Sequence, residues 1–143
     1  MDRPKIPVDD RYLRMKIQTA KPMELILIMY DGAILYLKKA LVNYELHKRA
    51  LYDENLNKAK NVIKELQLSL NLDIKPISGQ LFSLYDYMTR QLSDAICNRR
   101  ENKAKIQHVI RMLQGLRETW NKIKDKAPVE KEKRALENIS LSM

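Results

Sequence analysis

The sequence predicts an all-α protein: an antiparallel up-down four-helix bundle with an N-terminal arm and a short helical or disordered C-terminal tail. Three observations lead there. The chain of 143 residues holds only 3 Gly and 5 Pro, about half their usual share, so long stretches run without a breaker. Leu occurs 20 times and Thr 3 times, a usage that favours helices over turn-flanked strands. Apolar residues also recur at steps of three and four in four segments of about 20 residues. A chain of this length buries roughly 68–70% of its unfolded surface, enough for a core without disulfides or metal. The same numbers exclude a collagen, a disulfide scaffold and a wholly disordered chain.

Residues 1–21 read as an arm with two prolines, Pro4 and Pro7, mixed charge and a few apolar side chains. Pro22 suits a first helical position and Glu24 suits the positive end of the helix dipole, so the first helix is expected over about 22–46. Asp53 is a candidate cap for a second helix over about 53–72. Pro76-Ile77-Ser78-Gly79 reads as a turn, with Ser78 capping a third helix over about 79–97. Asn98 to Asn102 breaks the chain again, and a fourth helix is expected over about 102–124. The bundle domain thus takes in residues 22–125 and leaves 126–143 as the tail. Four such helices on short loops favour antiparallel neighbours.

Each helix shows one apolar stripe suited to a bundle seam. In the fourth, Ile106, Val109, Leu113, Leu116, Trp120 and Ile123 step by 3, 4, 3, 4, 3. The second gives Leu56, Ala59, Ile63, Leu66 and Leu70; the third gives Leu81, Tyr85, Met88, Leu92 and Ala95. The first places Ile26, Met29, Ala33, Tyr36, Leu37 and Ala40 on one side, then sets Ile28, Leu35 and Val42 nearly opposite. Leu68 and Leu72 stand likewise behind the second stripe. Apolar lines beyond the needs of one core mark either a binding surface or ground covered by the arm and tail.

No catalytic constellation emerges. His47 and His108 stand alone, without the spacing of a zinc site. The acids are spread along the helices, and the glycines at 32, 79 and 115 make no phosphate loop. Cys97 is the sole cysteine, so no intrachain disulfide can form and a small hydrophobic role is expected for it. No cofactor or metal is expected, and the protein is read as a non-enzyme. The longest run free of Asp, Glu, Lys and Arg is ten residues, Pro76–Tyr85; a membrane-spanning helix needs about 18, so no membrane insertion is expected. The N-terminal residues contain no apolar signal core, which gives a cytoplasmic expectation. The formal net charge is +9, and +6 of it falls between Arg90 and Lys124, where nine Lys/Arg face Asp94, Glu101 and Glu118. A nucleic-acid reader would want exposed aromatics or a recognition helix there. Trp120 lies instead on the core stripe, so a solvated or protein-docking face is the better reading and a basic bundle binding nucleic acid stands second.

Two stretches carry a resemblance. Tyr12 to Leu35 reads YLRMKIQTAKPMELILIMYDGAIL and Leu84 to Leu92 reads LYDYMTRQL. With Leu116-Arg117-Glu118-Thr119-Trp120 they closely resemble the flagellar secretion chaperone family, FliS, over about residues 12–124. Lys21 departs from the Ser or Asp usual there before the proline, which loses a side-chain cap of about 0.5–2 kcal/mol. The resemblance implies a cytosolic bundle that captures the disordered C-terminal segment of flagellin, prevents premature polymerisation and hands the subunit to the flagellar export gate. A co-chaperone, a monomer or weak dimer, and a different flagellar client stay open. On this reading Ile28, Leu35, Val42, Leu68 and Leu72, with Ile110 and Met112 flanking the fourth helix, become candidates for the flagellin-binding surface. The likeness further implies that the arm, through Tyr12 and Ile17, occupies client surface until flagellin displaces it. Arg117, at the edge of its stripe, is expected to snorkel or to pair with an acid such as Asp86.

Overall fold

Helices form wherever the breakers allow them. The computed structural model describes residues 22–70, 77–98 and 102–123, which contain α1 (Pro22–Glu45), α2 (Arg49–Leu68), α3 (Ile77–Cys97) and α4 (Asn102–Ile123). The arm 1–21, Leu72 and the tail lie outside the described residues. α1 packs on α2 and α4, and α3 packs on the same two, so the four helices close into a ring. The direction of each is fixed by contacts at both ends. Tyr52 Oη, at the start of α2, donates to the Ala95 carbonyl near the end of α3 at 2.8 Å. Gln67 Nε2, near the end of α2, donates to the Phe82 carbonyl at 3.1 Å, near the start of α3. Lys103 at the start of α4 pairs with Glu45 at the end of α1. This is the expected up-down four-helix bundle.

The turn from α1 to α2 is shorter than expected, and Asp53 does not cap α2. His47 adopts the left-handed conformation with φ 56°. Lys48 N–H then donates to the Asn43 carbonyl at 2.9 Å and His47 N–H to the Tyr44 carbonyl at 3.1 Å. That pair of bonds is a Schellman motif, which satisfies the last carbonyls of α1 and reverses the chain at once. α2 therefore starts at Arg49 with Lys48 as its N-cap, which supplies no side-chain bond. At the other end Ser69 Oγ donates to the Leu66 carbonyl at 2.7 Å, and α2 stops at Leu68 rather than near residue 72. Ser78 is likewise not a cap: α3 already runs at Ile77, and the Ser78 side chain is turned inward and fully buried.

The core follows the stripes. Leu56, Ala59, Ile63 and Leu66 of α2, Leu81, Tyr85, Met88, Leu92 and Ala95 of α3, and Ile106, Val109, Leu113, Leu116 and Trp120 of α4 are all buried. α1 exceeds its single stripe: Leu25, Leu27, Tyr30 and Ile34 are buried as well, while Ile26 is only half-buried. The cause is its position, with α2 on one flank and α4 on the other, so that more than half of its circumference faces protein. At the centre Trp120 Nε1–H donates to Tyr30 Oη at 3.1 Å, and Tyr30 Oη meets Tyr85 Oη at 2.5 Å. One polar chain thus fixes α1, α3 and α4 against each other inside an otherwise apolar interior.

Candidate functional site

Once the core is filled, α1 still has apolar side chains left over. Leu35 is 48% exposed and Val42 58% exposed on its outer side, with Ile28 half-buried one repeat earlier. The seven-residue step explains their alignment: seven residues turn 700°, within about 20° of two full turns. Leu46 continues the line four residues after Val42 and is also exposed. The spacing Val42–Leu46 is visible in the sequence, where Leu46 stands at the expected end of the first helix. Leu68, at 75%, projects from the outer face of α2, with Lys64 and Asn61 exposed one and two turns before it.

The structure does not bring every candidate to this surface. Ile110 is a core residue at 7% exposure, because α4 buries its flank against α1. Its spacing from Ile106, one turn away, carries that signal. Met112 is half-buried and packs against the core. Leu72, Tyr12 and Ile17 fall outside the described residues. Besides Leu46, three exposed apolar side chains are not among the sequence candidates: Leu51 on α2, Phe82 and Tyr87 on α3. Tyr87 meets His108 edge to face across α3 and α4, with ring centroids 6.0 Å apart.

Polar pairs frame these lines. Arg117 reaches α1 rather than Asp86: its guanidinium binds Asp31, with Nη2 donating to Oδ2 at 3.2 Å. The carboxylate beside it holds the Arg117 charge more firmly, raising its pKa. Asp86 is engaged by Arg90 within α3, where Nε donates to Oδ2 at 2.8 Å. Lys105 pairs with Asp94, and Lys103 with Glu45. Lys103, Lys105 and Arg117 thus meet acids on neighbouring helices, which suits a solvated face better than a phosphate track. Among the described residues no group of three or more His, Cys, Asp or Glu could hold a metal ion. No described helix is long and apolar enough to cross a membrane. Cys97 is exposed, against the expectation of a small buried hydrophobe.

Comparison with known proteins bears on the whole arrangement. A family model described as "Flagellar protein FliS" matches residues 6–127. The "Flagellar secretion chaperone FliS" of Bacillus subtilis is 37% identical over 84 residues, which is 59% of this chain and 62% of that protein. The protein of the same name from Salmonella typhimurium is 34% identical over 114 residues, 78% of this chain and 82% of its own length. The match therefore spans slightly less than two thirds of the Bacillus protein.

Proposed function

The chain belongs to the FliS family of flagellar secretion chaperones, and from that premise we propose that it binds the C-terminal segment of flagellin in the cytoplasm, prevents its premature polymerisation and delivers it to the flagellar type III export apparatus. The observation that carries this reading is the exposed line Leu35–Val42 on α1, set beside a core that is already complete. A filament subunit before assembly presents amphipathic segments meant for helix packing. Such a segment can lay its apolar face on a helix that offers anchors one and two turns apart. Ordering a disordered client costs about 2–5 kcal/mol of the gross interaction, so apolar surface must be held in reserve on the chaperone. Ile28, Leu35 and Val42 supply it on α1, with Leu68 on α2 as a second point of contact. The role needs no catalytic group.

The experiment is a calorimetric titration of the full chain with a peptide from the C-terminal portion of its own organism's flagellin. Binding near 1:1 with a negative heat-capacity change is expected, since apolar surface leaves water. Heat that vanishes at moderate salt, or no binding at all, would remove flagellin as the client.

A further inference from the structure

The outer face of α2 and α3 carries features that the fold does not use. Lys60, Lys64 and Leu68 follow one another at four-residue steps, which aligns them as one ridge on α2. Lys60 is half-buried, Lys64 exposed, and Leu68 the most exposed of the three apolar or basic heads on the α2 surface nearest α3. At the Leu68 end, Gln67 Nε2 donates to the Phe82 carbonyl at 3.1 Å, so Leu68 and the exposed Phe82 stand on the two sides of that bond. Gly79, one turn before Phe82, is exposed, and among the described residues no atom lies within 4 Å of the place a Cβ would take. The ridge starts on two cations and ends on bare apolar ground.

No acid of these two helices balances the cations. Among the described residues neither Lys60 nor Lys64 makes an ion pair. Asp86 is held by Arg90 and Asp94 by Lys105. Asp53 and Glu65 have partners of their own, and Glu54 stands about 120° round α2 from Lys60. Partial burial and the charge of Lys64 both lower the Lys60 pKa, so an anion at this ridge relieves a cost that the folded chain bears alone.

Charge and spacing select the partner. Two cations are few for a phosphate track, and they stand in line with an aliphatic and an aromatic side chain. A helix with acids one turn apart and an apolar residue on the next turn matches both halves of the ridge. Acids at its N-terminal end also favour its own helix, which sets it parallel to α2.

We propose that the outer face of α2 and α3 docks an acidic amphipathic helix of a partner protein, with two carboxylates on Lys60 and Lys64 and apolar side chains on Leu68 and Phe82. The docking does not rest on flagellin as the client; it gives the Leu68 end of the surface a partner chemistry of its own.

Two synthetic peptides of about 20 residues, long enough to hold a helix, test it against the full chain. One carries Glu at two positions one turn apart and Leu one turn further on; the other has Lys in place of both Glu. Fluorescence anisotropy reads affinity and amide chemical shifts read the site. The acidic peptide should bind at least about tenfold more tightly than the basic one, with shifts at Lys60–Leu68 and Gly79–Phe82. Lys60→Glu with Lys64→Glu should reverse that preference, an outcome that a misfolded chain does not produce. If the reversed variant does not fold, Lys60→Gln with Lys64→Gln carries the test and should lose the preference. Equal binding of the two peptides by the parent chain, a preference that survives in the variants, or shifts that fall on α1 would overturn the docking. Displacement of the acidic peptide by a single-stranded oligonucleotide of equal charge at lower concentration would overturn it too, and would give the two lysines to phosphate.

Discussion

At Tyr30 a single hydroxyl serves two partners, accepting the Trp120 indole N–H and meeting Tyr85 Oη, with all three side chains buried. Replacing Tyr30 by Phe leaves two buried polar groups without their bond, so Tyr30→Phe should cost about 2–4 kcal/mol. Tyr85→Phe keeps the Trp120–Tyr30 bond and should cost only about 1 kcal/mol. Urea unfolding of the two variants measures the order, and equal losses would show that the Trp120 bond contributes nothing. The same pair sets an alkaline limit. Burial pushes Tyr85 up to about 12 from its ordinary 10.0, and burial with the neighbouring Tyr85 lifts Tyr30 well above 10.0 too. The unfolded chain then releases these protons before the folded one does. Their contribution is therefore intact below about pH 10 and is lost as pH rises through the folded values. Tyr85→Phe should show a shallower loss of stability between about pH 10 and 12, read as urea midpoints across that range; parallel profiles would contradict it.

Among the elements, the α1–α2 turn shows most directly how local chemistry overrides a pattern. A left-handed residue after a helix is usually Gly, and here His47 takes that place at a cost of about 1–2 kcal/mol for its side chain. His47→Gly should relieve it and, after the entropy that glycine loses on folding, raise stability by about 0.5–1 kcal/mol. A thermal melt unchanged or lowered by the substitution would mean that the His47 side chain stabilises the turn by some other contact. With no Gly or Asn at 46–48 the reversal is silent in the sequence, and this is why Asp53 looked like the start of α2. The stripes of α2, α3 and α4 were legible because each follows a 3.6-residue period against one seam. The full burial of α1 was not, since Leu27 and Ile34 are interior only through the side on which α4 happens to pack. Ile110 has the same origin. Leu35, Val42 and Leu68 were legible as surface for the converse reason: they stand opposite a stripe, and no described helix comes to that side.

For the molecule as a whole, the surplus that decides behaviour is apolar rather than ionic. Lys103, Lys105 and Arg117 each meet an acid from another helix, and exposed pairs of this kind contribute about 0–1 kcal/mol apiece. On the apolar line of α1, Leu35 and Val42 keep about half of their surface in water, so each gives folding only about half of the roughly 1.5–3 kcal/mol of a fully buried aliphatic side chain. Stability and recognition therefore reside on separable parts of one helix pair, and substitutions can part them. Leu35→Asp with Val42→Asp places two charges on half-exposed positions outside the core and should lower unfolding free energy by about 1–3 kcal/mol. Ile110→Asp puts an unpaired carboxylate between α1 and α4 and should cost about 3–5 kcal/mol or prevent folding. In the flagellin titration the double variant should keep its helicity and lose about tenfold or more in affinity, as apolar anchors are replaced by charge. If that variant stays folded and binds like the parent, the client surface lies off α1, with the patch around Leu68 next to be substituted. If it unfolds, the line serves the fold rather than the client.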